Sequence, residues 1–192
     1  GERGAGAGQG GGGQAVVAIW YAQLAATDVS AANQWNAAPD GSGAWLTWEN
    51  LQPTDVLCAN GKTNLYVSSG FTCGSITTSG GGSGADGGLF LVQTGAKTFT
   101  LTTDIVAGTT TCLRIDHSSG TVAVIGDVMA GSAANSAYGI HKYLGAGTLT
   151  VEGTVTGGTN RIAAFGIQCS TGATVITGAV VGGTNTINTN PC

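Results

Sequence analysis

The sequence predicts an all-β fold: a parallel β-helix, or β-solenoid, with a Trp-rich N-terminal cap and a Gly-rich N-terminal segment. The prediction starts from four segments that each open on Thr and close on Gly. They span residues 98–108, 121–131, 148–158 and 174–183, so their first residues lie 23, 27 and 26 positions apart. A period in the twenties with short strands in each unit is typical of a solenoid, because one unit cannot bury its apolar face alone.

The order of residues within the repeats indicates strands rather than helices. Apolar residues recur at every second position, as in Val122 and Val124 or Leu149 and Val151, with Thr or Ala between them. This is the pattern of a strand with one buried face, and the frequent Thr and Val suit a pleated surface. We expect roughly five or six rungs, each one turn of the solenoid, stacked about 4.8 Å apart.

A glycine closes each repeat, at the point where a solenoid turns a corner. We expect these glycines to adopt positive φ, which meets no Cβ clash in glycine. They are Gly108, Gly131, Gly158 and Gly183.

The whole chain divides into three regions: a linker or shaft end at 1–14, a cap module at 15–53 and the solenoid at 54–192. Residues 1–14 are largely glycine and offer no core-forming side chain. They are therefore either a flexible linker or the end of a Gly-rich shaft. From residue 54 the chain reads as short strands and turns, among which Asn60-Gly61 is the strongest turn signal.

All four tryptophans lie between residues 15 and 53, and none lies in the repeats. A solenoid needs an atypical terminal unit, because its first rung otherwise exposes an apolar end and an open sheet edge. We therefore interpret the Trp-rich module as a cap. The alternative is a platform on which sugar rings stack, and it makes all four candidates for glycan binding: Trp20, Trp35, Trp45 and Trp48.

Composition and charge exclude several classes of function. The net charge is −4, and the six basic residues are scattered singly, whereas nucleic-acid binding needs a clustered cationic face. No run approaches the roughly 18 apolar residues that span a bilayer, so we expect no membrane insertion. We expect no cofactor, because the Gly-rich strings lack the Lys-Ser/Thr of a phosphate loop.

The five cysteines leave open how they pair. Cys169 and Cys192 are 23 positions apart, about one rung, and a bridge between them would close the last turn. Cys58 and Cys73 flank a short hairpin or half-rung and form the second candidate disulfide. Either bridge would suit an extracellular protein. The alternative is that the thiols are buried and behave as small core residues.

Three carboxylates are the strongest of a weak set of catalytic candidates. Asp104 and Asp127 occupy the same place in consecutive repeats, and Glu152 lies close by in the next one. Carboxylates about 5 Å apart serve retaining glycoside hydrolases. However, each Asp precedes an apolar residue that we expect to point inward, so alternation places the Asp side chains in solvent. No nucleophile, base and orienting group can be assembled, so no active site is proposed.

The two histidines do not predict a metal site. His117 and His141 are 24 positions apart, but two imidazoles without a third ligand at fixed spacing are weak grounds for zinc. We expect two exposed loop side chains and no bound metal.

Several motifs together resemble repeat-rich fibre and tailspike-like proteins of tailed bacteriophages and of some large bacterial surface proteins. In chain order they are Trp35-Asn36, Trp48, Pro53-Thr-Asp55-Val, Asn60-Gly-Lys-Thr63, Ala137-Tyr-Gly-Ile140, Gly153-Thr-Val-Thr-Gly-Gly158, Ala164-Phe-Gly-Ile167 and Gly178-Ala-Val-Val-Gly-Gly183. The resemblance covers the chain from about residue 35 onward. It implies a virion-surface fibre, spike or decoration protein, often trimeric.

The expected function is therefore that of a phage virion structural protein, exposed on the particle surface as a head or tail fibre, spike or decoration. The resemblance implies a homotrimer that contacts other virion proteins and attaches to host-surface polysaccharide. Two alternatives stay open. One is a tailspike-type polysaccharide depolymerase that uses Asp104, Asp127 and Glu152, and the other is a non-viral surface adhesin or filament subunit.

Overall fold

The computed structural model describes residues 17–62, 64–77, 88–107, 111–133, 138–160 and 165–185. Within them the chain forms β-strands and one 3-10 helix, η1 (Trp48–Asn50), without any α-helix. Parallel strands stack from rung to rung, so the predicted all-β solenoid is confirmed. The solenoid has about three turns, fewer than the five or six rungs expected. The strands between residues 17 and 92 lie in only two of its sheets, so they do not form complete rungs.

Sheet A is the largest sheet and runs the length of the column. Its path begins at β2 (Trp35–Asn36) and continues through β1 (Ile19–Ala22), β3 (Val56–Cys58), β5 (Phe71–Thr77), β7 (Phe99–Val106), β9 (Thr121–Ile125), β13 (Thr148–Glu152) and β17 (Thr174–Ile176). A short row branches from the end of β7 through β10 (Val128–Met129), β14 (Val155–Thr156) and β18 (Val180–Val181).

Two smaller parallel sheets complete the walls of the column. Sheet B contains β4 (Leu65–Tyr66), β6 (Gly88–Val92), β8 (Thr111–Ile115), β12 (Ile140–Lys142) and β16 (Ile167–Cys169). Sheet C contains β11 (Ser132–Ala133), β15 (Thr159–Asn160) and β19 (Thr184–Asn185). A complete rung passes from sheet A through the short row and sheet C to sheet B, and then re-enters sheet A one level further along.

The register of the strands places apolar residues of successive rungs on top of one another. In sheet B, Leu65 pairs with Phe90, Phe90 with Leu113 and Leu113 with Ile140, and all four side chains are fully buried. Each such side chain contributes roughly 1.5–3 kcal/mol by leaving water. The core is therefore a set of apolar columns inside the solenoid, each built from one position of the repeat.

The glycines that need positive φ are not the ones that close the repeats. Gly108 lies outside the described residues, and positive φ is absent from the three described closing glycines, Gly131, Gly158 and Gly183. Positive φ falls instead at Gly126 (140°) and Gly153 (143°). A Cβ at either position would collide with a backbone carbonyl of the preceding rung, so the expectation is corrected: glycine is required where successive rungs approach closely.

The N-terminal end of sheet A differs from the rest of the sheet. Strand β2 pairs with β1 antiparallel, whereas β1 pairs with β3 parallel. Trp35 on β2 is buried, and its indole Nε1 donates a hydrogen bond to the Val29 carbonyl at 2.7 Å. The edge of the first parallel strand is thus covered by an antiparallel strand that carries a large apolar side chain, which is what a cap has to supply.

Candidate functional site

The two aspartates predicted to stack do so, but as structural groups. Asp104 Oδ1 accepts a hydrogen bond from the Asp127 backbone N–H at 2.8 Å, and Asp127 Oδ1 accepts one from the Thr154 N–H at 2.7 Å. Both side chains are exposed at a corner of the column. Each carboxylate therefore ties its rung to the next one.

Glu152 lies on the same side of the column but in a different register position. It pairs with Ile125, two positions before Asp127, and lines a shallow depression of about 270 Å³ on the outer face of sheet A. Neither aspartate lines this depression. The three carboxylates thus do not converge on one cleft.

Both histidines are buried, contrary to the expectation of exposed loop side chains. His117 Nε2 lies 3.1 Å from the Thr148 carbonyl oxygen of the next rung. Burial lowers the pKa of His117, and the positive charge of Lys142 lowers it further. His141 pairs in register with Arg114 rather than with His117, so the two imidazoles do not stack. The described part of the chain holds no group of three His, Cys, Asp or Glu side chains placed to bind a metal ion.

Lys142 is a buried charge that the sequence analysis missed. It pairs with Ile115 in an inward-facing column of sheet B and is fully buried. Its Nζ donates hydrogen bonds to the carbonyl oxygens of Gly145 at 3.0 Å and Thr171 at 2.8 Å. These two carbonyls belong to successive rungs, so the ammonium group links them. The signal was present in the sequence, because strand alternation puts Lys142 on the same face as Ile140.

Four cysteines lie in the described residues, and one of the two expected pairs, Cys58 and Cys73, can be compared with the structure. The register of β3 and β5 puts Cys58 opposite Thr77, four positions from Cys73. Four residues of strand span roughly 13 Å, well beyond the Cα separation of about 7 Å that a disulfide tolerates. The Cys58–Cys73 bridge is therefore not formed in this structure.

The remaining cysteines separate into buried and exposed thiols. Burial raises the pKa of Cys73 to about 11 and that of Cys112 to about 12, so both are protonated at neutral pH. Cys169 is exposed on β16, the edge strand of sheet B. Its predicted partner Cys192 lies outside the described residues, and that pairing stays a prediction.

Three of the four tryptophans are engaged in packing. Trp35 is buried in the cap, as described above. Trp20 is partly buried, and its Nε1 donates to Asp55 Oδ2 at 3.1 Å. Trp48 packs edge-to-face on Phe71, with ring centroids 5.2 Å apart and planes at 72°.

Trp45 is the exception among the tryptophans, because 45% of its surface is exposed. Together with Trp48 it lines an open cleft of about 290 Å³ in the cap. The other residues of this cap cleft are Ser30, Ala31, Ala32, Asn33, Leu46, Thr47 and Glu49. The cleft is thus lined by two tryptophans, two hydroxyl residues, one amide residue and one acidic residue.

Two segments of the chain, residues 30–33 and 45–49, line the cap cleft. At the first segment, Asp28 Oδ1 accepts hydrogen bonds from Ser30 N–H at 2.9 Å and Ser30 Oγ at 2.6 Å, and Asn33 adopts φ +57°. At the second segment, Trp45 forms a bridge with Asn36, and η1 follows directly. The two segments are far apart in sequence, so no local motif predicts the cleft.

The electrostatic character of the cap is uniformly acidic. Residues 15–53 contain Asp28, Asp40 and Glu49 and no Lys, Arg or His, which gives a formal charge of −3. Hydrogen bonds from Ser42 lower the pKa of Asp40, so this carboxylate is ionised at neutral pH. Glu49 lines the cleft, and none of the described basic side chains forms an ion pair with it.

A second polar and aromatic cluster lies along sheet B. Arg114 Nε lies 3.1 Å from Asp116 Oδ2, and its Cζ sits 4.6 Å from the centre of the Tyr143 ring. On the next rungs, Tyr138 stacks on Phe165 with a 6.0 Å separation and nearly parallel planes. These contacts join successive rungs, and their residues line neither the cap cleft nor the shallow depression on sheet A.

Among the described residues, no helix is long or apolar enough to cross a bilayer. The chain matches no model of a known protein family, and neither a curated protein nor a solved structure matches it.

Proposed function

We propose that the chain is a structural protein of a phage virion, a fibre, spike or capsid or tail decoration, exposed on the particle surface and contacting host-surface glycan through the cap cleft. One observation carries the glycan-binding part: the half-exposed Trp45 and the partly buried Trp48 line one cleft with Ser30, Asn33 and Glu49 around it. The virion assignment rests on the motifs that resemble phage fibre and tailspike-like proteins.

The chemistry of the cap cleft suits a sugar. The C–H face of a pyranose ring is apolar and packs on an indole face, while its hydroxyls need hydrogen-bonding partners around the rim. Trp45 supplies such a face, and Ser30, Asn33 and Glu49 supply the polar groups. At about 290 Å³ the cleft lies at the lower end of the volumes typical of ligand sites, which suits one or two sugar rings of a longer chain.

The positions and hydrogen bonds of the three candidate carboxylates favour glycan binding over glycan hydrolysis. Asp104 and Asp127 already accept backbone hydrogen bonds from the next rung, and Glu152 lies apart from them in the register. A retaining hydrolase needs two carboxyl groups about 5 Å apart on either side of one substrate bond. The proposed function is therefore attachment rather than depolymerisation.

The proposed homotrimer has a candidate contact surface on the outer face of sheet A. Ile125 and Val175 are exposed there, beside the shallow depression that Ala123 helps to line. Light scattering should give a mass of three chains, with or without reductant. Ile125→Glu should dissociate the trimer, while Met129→Glu, at an exposed residue outside this depression, should not. A monomer at all concentrations would remove this part of the proposal.

The glycan-binding proposal is tested by adsorption to host-surface polysaccharide. We expect the wild-type protein to bind and Trp45→Ala to abolish binding. Val181→Ala, at an exposed apolar residue on the last rung, is the matched control and should bind as wild type does. Equal binding by Trp45→Ala would exclude the cap cleft. Antibody labelling in electron microscopy should find the protein on purified virions, and labelling confined to cell envelopes would replace the virion assignment with a surface adhesin.

A further inference from the structure

We infer that the cap cleft selects sugars that carry a free ammonium group, as in a de-N-acetylated hexosamine polymer, over neutral and acidic sugars. The inference rests on the proposed glycan-binding function and names the class of glycan. It is drawn from three features of the cap: the two indoles, the Glu49 carboxylate and the charge of the surrounding residues.

The indoles favour a cation. Trp is the best of the aromatic side chains at holding an ammonium group over its ring face. Trp45 is half exposed and lines the same cleft as Trp48. A ligand that enters the cleft therefore meets indole surface as well as the aliphatic side chains of Ala31, Ala32 and Leu46. A neutral sugar packs on the same surfaces but gains no attraction from the ring quadrupole.

The Glu49 carboxylate favours the same charge. It follows Trp48 directly in η1 and lines the cleft. Glu49 is exposed and none of the described basic side chains pairs with it, so its carboxylate is accessible to a cationic group of a ligand. Held between Glu49 and an indole, an ammonium group makes an ion pair and a cation–π contact together.

The rest of the cap opposes an anionic ligand. Residues 15–53 carry Asp28, Asp40 and Glu49 without one basic residue. An acidic cleft attracts cationic ligands and repels uronic acids, sialic acids and phosphorylated sugars. Charge therefore selects against the acidic sugars, while Glu49 and the indoles select against neutral ones.

The experiment compares oligosaccharides that differ only in one substituent. A β-linked hexosamine oligomer is tested in its N-acetylated and its de-N-acetylated form, beside a uronic acid oligomer of equal length, by calorimetry at low and at physiological salt. We expect the de-N-acetylated form to bind about tenfold more tightly than the acetylated one. This preference should shrink as salt is raised, and the uronic acid oligomer should bind least.

Two variants test whether Glu49 causes the preference for the de-N-acetylated form. Glu49→Gln should remove most of the difference between the two hexosamine forms, because it weakens binding of the de-N-acetylated form more than that of the acetylated form. Asp40→Asn removes a cap acid that does not line the cleft and should keep most of the preference.

Each remaining outcome overturns one proposal or both. Equal or tighter binding of the acetylated or uronic oligomer, or a preference that survives Glu49→Gln, would overturn the inference and leave glycan binding intact. The inference would also be overturned if a Lys-rich peptide bound more tightly than the de-N-acetylated oligomer. Binding of no oligosaccharide at all, by a protein that is folded by circular dichroism, would overturn the proposed function as well.

Discussion

The two ends of the described column differ in how well the core residues are covered. Val128, Val155 and Val180 occupy one register column. The first two are fully buried, whereas Val180 on the last described rung is 50% exposed. At the other end, the antiparallel strand β2 brings Trp35 into the core.

The difference shows that burial in this fold comes from the neighbouring rung rather than from the residue itself. Within the described residues, a further rung follows Val128 and Val155 but not Val180, and the exposure of the three valines differs accordingly. Stability in such an array is approximately a sum over rungs and the contacts between neighbours. Substitutions of one residue type should therefore differ in effect according to their place along the column.

The largest expected effect is at the capped end. Trp35→Ala should lower the free energy of unfolding by about 3–5 kcal/mol, because it removes a buried indole and leaves the Val29 carbonyl without its donor. Trp45→Ala is the matched control and should cost less than about 1 kcal/mol, because this side chain is half exposed. Urea unfolding followed by fluorescence measures both, and similar losses would show that the cap does not depend on Trp35.

The next comparison uses two glycines at different places in the column. Gly153→Ala puts a Cβ against the Gly126 carbonyl of the preceding rung at a positive φ, so we expect a loss of about 2–4 kcal/mol. Gly182→Ala on the last rung meets open space and should be nearly neutral. Thermal unfolding separates the two variants. A neutral Gly153→Ala would mean that the rungs are able to move apart at this corner.

The repeating part of the fold could be predicted from the sequence because one pattern sets both strand and register. The segments that begin at Thr121 and Thr148 pair with those two residues directly opposite each other. Strand alternation also places the Asp104 and Asp127 side chains outside, as the structure shows. Residues one period apart in the sequence thus lie in contact on neighbouring rungs, wherever the repeat is regular.

The cap cleft and the buried charges could not be predicted in the same way. The four tryptophans have no period that distinguishes the buried Trp35 from the exposed Trp45, since their burial depends on turns distant in sequence. His117 lies beyond the end of β8, where the following rung covers it through Gly147. Lys142 lies on a strand with readable alternation, but a lysine is rarely placed in a core unless its charge finds partners, and those partners are carbonyls of two separate turns.

Two valines of one register column, Val155 and Val180, provide the third comparison. Val155→Ala should cost about 1.5–2.5 kcal/mol, since it removes two buried methyl groups and leaves a cavity between two rungs. Val180→Ala makes the same chemical change at the half-exposed position and should cost less than about 1 kcal/mol. Equilibrium unfolding of the two variants under identical conditions gives the difference directly. Equal costs would indicate that the end of the column is covered in solution, by another part of this chain or by another copy.

The smallest expected effect is a pH dependence that arises inside the column. An unfolded histidine titrates near pH 6.5, whereas burial and the charge of Lys142 lower the pKa of His117 in the folded protein. Between these two values the unfolded state holds a proton that the folded state does not. Stability should therefore be constant above about pH 6.5 and fall as the pH is lowered through the folded pKa, by at most about 1.4 kcal/mol for each pH unit.

His117→Phe tests the origin of this dependence, because it keeps a ring of similar size beside Gly147 and removes the titrating group. The slope of stability against pH below about pH 6.5 should flatten, although the variant loses the contact of Nε2 with the Thr148 carbonyl and is less stable throughout. His141 remains in this variant, so a slope that persists unchanged would assign the proton to another group. A flattened slope would show that the rung beginning at Thr148 keeps His117 out of water, as the following rung also does for Val128 and Val155.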